Sequence, residues 1–133
     1  MIKLIYRILG STYLALALSA CASTVDVDGD LQPSMLNEGL SRYNETEVTV
    51  QGFLVMKPEA RQLWESKRKY DAYADEEYCL TLTNTFIIEP NLEEYNFKKI
   101  RLKGIFKSDI NAGPVIDLGA CNDSGLEIIE VMK

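Results

Sequence analysis

The chain has 133 residues and a net charge of −6, is 47% hydrophobic and 26% charged, and holds four prolines and eight glycines. That balance suits one small globular domain and excludes both a disordered chain and a two-domain enzyme. The absence of histidine removes the usual general base, the commonest metal ligand and every histidine-dependent triad.

The N-terminus carries the first chemical signal. Lys3 and Arg7 form a positive head, and residues 8–20 follow as an uncharged run of apolar or small side chains. Crossing a bilayer takes about 20 apolar residues, so this run reads as a signal-peptide core rather than a membrane helix. It ends in Leu18-Ser19-Ala20-Cys21, which resembles the bacterial lipobox. The resemblance implies a signal peptide over 1–20 and a mature chain that begins at an acylated Cys21. Several acyl chains anchor stably, since each buried CH₂ contributes about 0.8 kcal/mol. Ala22, rather than aspartate, follows the cysteine. By the same resemblance this implies delivery to the outer membrane, with the domain facing the periplasm.

Without its first 20 residues the chain keeps 12 basic and 20 acidic side chains, a charge of −8. A polyanion gains nothing from that balance unless the cations cluster, so no nucleic-acid partner is expected. Residues 21–33 read as the lipidated end and a flexible tether rich in Ser, Thr, Asp and Gly. The run Asp26-Val27-Asp28-Gly29-Asp30 suggests a calcium loop. It lacks the glycine at position six and the glutamate at twelve, where Leu31 and Asn37 stand. No metal or cofactor is expected.

Residues 34–42 predict a short helix, capped by Ser34, with Leu36, Leu40 and Tyr43 on one stripe. Residues 47–56 alternate as a strand, with Val48, Val50 and Leu54 on one face and Thr49 and Gln51 on the other. Residues 58–70 predict a helix with Pro58 in its first turn and Leu63 and Trp64 as its apolar patch. Short strands are expected at 78–83, 86–88, 115–118 and 126–131. The stretch 98–107 is a clear strand, with Ile100, Leu102 and Phe106 inward and Lys99, Arg101 and Lys103 outward. Turns are signalled at 111–114 and 122–125. The two main strands echo each other at an offset of 52, Tyr43-Asn44, Val48, Val50, Gly52 and Leu54 falling on Tyr95-Asn96, Ile100, Leu102, Gly104 and Phe106. A mid-strand glycine lets a strand bend sharply, as a small closed barrel requires.

With Cys21 acylated, Cys79 and Cys121 remain as an even pair in an oxidising compartment, and a disulfide between them is expected. Closing so long a loop stabilises by roughly 4 kcal/mol on the chain-entropy model. Without a Cys-x-x-Cys motif or a histidine, a redox or zinc site is not expected.

Together these elements predict a mainly β domain over 34–133, a five- to six-stranded Greek-key OB-like barrel with one or two short helices. Tyr43-Asn44, Gly52, Leu63-Trp64-Glu65-Ser66, Cys79, Gly104 and Leu118-Gly119-Ala120-Cys121 occur in an order that resembles small secreted bacterial OB-fold lipoproteins of unassigned role. That resemblance covers roughly residues 36–131 and implies a barrel without a particular chemistry. A lipocalin-like domain would want more strands, and an immunoglobulin-like one a more even spacing of them.

Two surfaces are candidates for binding. One is the outward stripe Lys99, Arg101, Lys103 and Lys107, for which the plainer account is a solvated face that discourages edge pairing. The other is the segment holding Arg61, Trp64, Lys67, Arg68, Lys69, Tyr70 and Tyr73, for which the plainer account is that Leu63 and Trp64 plug one end of the barrel. Aromatic groups among cations can stack on sugars or bases. The acidic runs Asp75-Glu76-Glu77 and Glu93-Glu94 are adjacent residues in polar stretches, unlike the carboxylate pair that faces itself across a cleft in glycoside hydrolysis. No catalytic residue is therefore expected. The expected role is a non-catalytic periplasmic module, anchored through Cys21, that binds another envelope protein or glycan. The alternative is an acidic inhibitor of a basic cell-wall-degrading enzyme of the lysozyme type.

Overall fold

The computed structural model describes residues 30–110 and 121–133. The signal peptide, the lipobox, most of the tether, the turn at 111–114 and the strand at 115–118 lie outside them. Helices α1 (Pro33–Glu38) and α2 (Leu40–Tyr43) lead into strands β1 (Glu47–Lys57) and β2 (Ala60–Trp64). Helix α3 (Lys67–Asp71), strand β3 (Cys79–Thr83), helix α4 (Leu92–Tyr95) and strands β4 (Lys99–Lys107) and β5 (Gly125–Met132) follow. The strands close into a barrel in the order β1-β2-β3-β5-β4, with β3 and β5 parallel and every other pair antiparallel. This is the small mainly β barrel that the alternating segments predict.

Alternation places Val48, Val50, Leu54, Ile100, Leu102, Phe106, Leu126 and Ile128 in the barrel core. Leu36 of α1 adds to it and is fully buried. Asn37 ties α1 down by donating to the Glu77 carbonyl at 2.8 Å and the Cys79 carbonyl at 3.2 Å. Two glycines let neighbouring strands close up. A Cβ on Gly52 would stand 2.4 Å from the Trp64 carbonyl oxygen of β2, and one on Gly104 2.4 Å from the Glu127 carbonyl oxygen of β5. The β4–β5 register shifts between Lys103 and Gly104, leaving Ile129 as the extra residue of a bulge.

The sequence echo is a local two-fold axis. In the β1–β4 pair Val50 faces Leu102, Gly52 faces Ile100 and Val48 faces Gly104, so exchanging the strands maps each residue onto the one 52 positions later. The flanking contacts obey the same operation. Asn44 Oδ1 accepts from the Ser108 N–H at 2.9 Å, and Asn96 Oδ1 accepts from the Met56 N–H at 2.9 Å. The Glu45 N–H donates to the Phe106 carbonyl at 2.8 Å, and the Phe97 N–H to the Leu54 carbonyl at 2.9 Å. Each Tyr-Asn turn therefore ends a helix, passes through a left-handed residue and latches onto the far end of the partner strand.

Several expectations are corrected. Residues 58–70 are not one helix, because Pro58-Glu59 is the two-residue turn of the β1–β2 hairpin. In a strand, neighbouring side chains point to opposite faces. Leu63 accordingly enters the barrel core while Trp64 packs outside it, so the two do not plug one end together. Helix begins only at Lys67, where the Ser66 hydroxyl accepts from the Lys69 N–H at 3.1 Å. Residues 86–88 are not a strand, since Asn84 at φ 62° turns the chain into a 3₁₀ turn over Thr85–Ile87. Ser34 is not a helix cap. Gln32 takes that position, Pro33 opens the helix, and the Ser34 hydroxyl donates to the Glu65 carboxylate. The helix expected at 34–42 divides at Gly39, and Leu40 is exposed. The tether stops before Leu31, which is buried and bridges to Val50.

Candidate functional site

The outer face of the barrel holds a second apolar cluster. Phe53 and Val55 of β1, Trp64 of β2, Cys79 of β3 and Cys121 are buried there, with Tyr70, Ala74 and Tyr78 packed over them. Cys79 and Cys121 form the disulfide, with Cα atoms 5.4 Å apart, inside the usual range. OB barrels commonly bind ligands on the outer face of strands two and three. Here Gln62, Trp64, Cys79 and Thr81 on that face are all buried.

The expected stripe on β4 is present, with Lys99, Arg101, Lys103 and Lys107 on outward positions, but its cations are largely engaged. Arg101 grips Asp30 with two hydrogen bonds of 2.5 and 2.8 Å. Lys103 pairs with Glu47 at 3.0 Å and Lys107 with Glu45 at 2.6 Å. Those hydrogen bonds raise the pKa of all three cations, and the Arg101 guanidinium holds the Asp30 carboxyl below its ordinary 3.8. These pairs tie β4 to β1, to the turn before β1 and to the chain entering the domain.

A pH dependence follows from the Asp30 pair. A carboxyl with a depressed folded pKa stabilises the fold above its unfolded value, and that stabilisation is lost as pH falls through the depressed value. Arg101→Gln is expected to lower the urea midpoint at pH 7 and to flatten the decline as pH falls below the ordinary aspartate value of about 3.9. If the variant declines as steeply as the parent chain, other carboxylates govern the acid limb.

The second expected surface separates into exposed and buried parts. Trp64 is 2% exposed and its indole N–H donates to Gln62 Oε1 at 2.9 Å, so it is a core residue and not a stacking platform. Arg61 is exposed and faces Met56 across the hairpin. Lys67 pairs with Asp71 one turn on, at 2.6 Å, while Arg68 lies beside it on α3. The Lys69 ammonium stands 3.8 Å from the Tyr78 ring centroid. Tyr70 is the hinge of the group, its ring 5.9 Å from Phe53, 5.8 Å from Trp64 and 6.5 Å from Phe97.

Sequence reasoning missed Phe97 and Lys57 as members of this surface. Phe97 is 47% exposed at the edge of the cluster, and Lys57 lies 5.4 Å from the Tyr70 ring. A hydrogen bond with Tyr70 raises the Lys57 pKa. One signal for Phe97 was legible, since the 52-residue echo assigns it the same turn position as Glu45. Tyr73 is more exposed still, at 83%. Both aromatics hold left-handed backbone, Tyr73 at φ 46° and Phe97 at φ 57°, a region bulky side chains avoid. The edge thus presents two outward rings near Tyr70 and its neighbour Lys57, with Arg68 exposed on α3.

Among the described residues no three acidic or cysteine side chains are grouped to hold a metal ion, and no helix is long and apolar enough to cross a membrane. The runs Asp75-Glu76-Glu77 and Glu93-Glu94 are exposed. No protein-family model matches the chain, and no curated protein or solved structure is significantly similar to it.

Proposed function

We propose that the chain is an outer-membrane lipoprotein, acylated at Cys21, whose periplasmic barrel is a non-catalytic module that binds another envelope component. The observation that carries the binding reading is the pair of exposed rings, Tyr73 and Phe97, held on left-handed backbone near Tyr70, whose ring Lys57 approaches. Such strain persists where the surrounding structure enforces it, and it clusters at functional sites. The β4 stripe is the weaker surface, since Arg101, Lys103 and Lys107 already have carboxylate partners. Asp30 lies only nine positions after Cys21, so the barrel would ride within about 30 Å of its anchor.

Crosslinking in intact cells tests the reading. A tagged parent chain should capture one reproducible envelope component, and Tyr73→Ala combined with Lys57→Glu and Arg68→Glu should lose it while remaining folded. Cys21→Ala should move the protein from the membrane to the soluble fraction. Undiminished capture by the folded triple variant would remove this edge as the binding surface. The −8 charge and the exposed acids of residues 75–77 and 93–94 support a second reading, an inhibitor of a cationic lysozyme-type enzyme. That association would slow as salt rises, and a lysozyme assay with added protein reads it directly.

A further inference from the structure

The rim beside β1 and α3 combines ring faces with positive charge in a particular way. Tyr73 and Phe97 project outward from left-handed backbone. Lys57 lies against the Tyr70 ring, and Tyr73 follows in the same turn, its N–H donating to the Tyr70 carbonyl at 3.1 Å. Lys98 and Lys99 follow Phe97 directly and are exposed, and Lys99 stands in register with Phe53, whose ring is 6.3 Å from that of Phe97.

We infer that this rim binds a glycan strand bearing carboxylates, with Tyr73 and Phe97 as the stacking faces and Lys57 as the cation that holds a carboxylate. The inference deepens the binding-module reading and rests on it. A pyranose ring presents a flat set of weakly electropositive C–H groups, which complement the negative face of an aromatic ring. Aromatic side chains supply that contact with few rotatable bonds to freeze. The ammonium adds a charge-assisted hydrogen bond to the carboxylate. Nucleobases also stack on rings, but each nucleotide brings a phosphate toward a chain whose net charge is −8 without its first 20 residues. A sugar strand with a carboxylate on alternate units brings less charge and places it at the lysines.

Isothermal titration of the full acylated chain in detergent micelles tests this with three probes. They are a β-1,4 hexasaccharide alternating N-acetylglucosamine with N-acetylmuramic acid, the neutral chitohexaose, and a dT hexamer. The carboxylated sugar should bind about 10-fold more tightly than either of the others. Tyr73→Gly and Phe97→Gly should each weaken it by about 10-fold or more, as the loss of a stacking face does. Lys57→Gln should bring the two sugars to nearly equal affinity. Tyr73→Gly should melt no lower than the parent chain, because glycine adopts the left-handed backbone without penalty, so lost binding there cannot be misfolding. Equal binding of the dT hexamer, or undiminished binding by Tyr73→Gly, would overturn the glycan assignment. If neither sugar binds while capture in cells still depends on Tyr73, the glycan class fails and the binding-module reading stands. If both are lost, both readings fall.

Discussion

Replacing Cys79 and Cys121 together by alanine is expected to lower the unfolding free energy by about 4 kcal/mol at neutral pH. The bridge spans 42 residues of sequence, and the chain-entropy model gives about that figure for a loop of this length. For a domain whose total stability is of order 5–15 kcal/mol, such a loss is a large fraction. Alanine is the appropriate substitution because both positions are buried, 0% and 3% exposed, and a serine hydroxyl would add its own desolvation penalty. Urea unfolding of the double variant, and of the parent chain under reductant, should agree. A loss below about 1 kcal/mol would mean that other contacts hold the segment before β5. Those contacts are the Ile110 N–H donating to the Asp123 carbonyl at 2.7 Å and the Ser124 hydroxyl donating to Asn37 and Asn122.

Gly52→Ala and Gly104→Ala are each expected to destabilise by about 3 kcal/mol, at the upper end of overpacking effects. At both sites the added carbon would stand 2.4 Å from a backbone carbonyl oxygen of the adjacent strand. A side chain can swing away from such a contact, but a paired strand moves only by breaking its ladder. The local two-fold relates the two sites, so the losses should be similar. Gly39→Ala is the internal control. Its Cβ would meet the edge of the Tyr43 ring at 2.8 Å, and a side chain at a helix end can yield. Urea midpoints for the three variants decide the matter. If Gly52→Ala and Gly104→Ala sit within about 0.5 kcal/mol of the parent chain, strand approach is not what those glycines serve.

Strands β1 and β4 were legible because a strand with one face in the core writes its two faces into alternate residues, and β3 and β5 were legible as short apolar and β-branched runs. The cysteine pair was legible only by setting Cys21 aside for the lipobox, and the Cys79–Cys121 bridge is present. The echo around Tyr43-Asn44 and Tyr95-Asn96 was visible as letters, though its meaning as a two-fold needed the β1–β4 register. What misled was local likeness. Pro58, with Leu63 and Trp64 among charges, satisfies a helix start and an apolar patch as well as it satisfies a hairpin. Propensity is a weak prior that tertiary pairing overrides, and here β2 pairs on both sides.

The candidate surface was harder to read than the fold. A lysine or arginine on an outward strand position looks the same in sequence whether it faces water or a carboxylate. The partners of Arg101, Lys103 and Lys107 are Asp30, Glu47 and Glu45, all more than 50 residues away along the chain. Trp64 was read as surface or plug, and the barrel wall placed it on the outside under Tyr70. The sequence by itself determined the alternation of the strands, the glycines at their bends, the cysteine pair and the charge balance, because each is a property of one segment or of composition. Only the tertiary structure decided which cations are paired, which aromatics are buried and which two rings stand out at the rim. Those outcomes depend on segments distant in sequence meeting at one face, and no local pattern encodes that meeting.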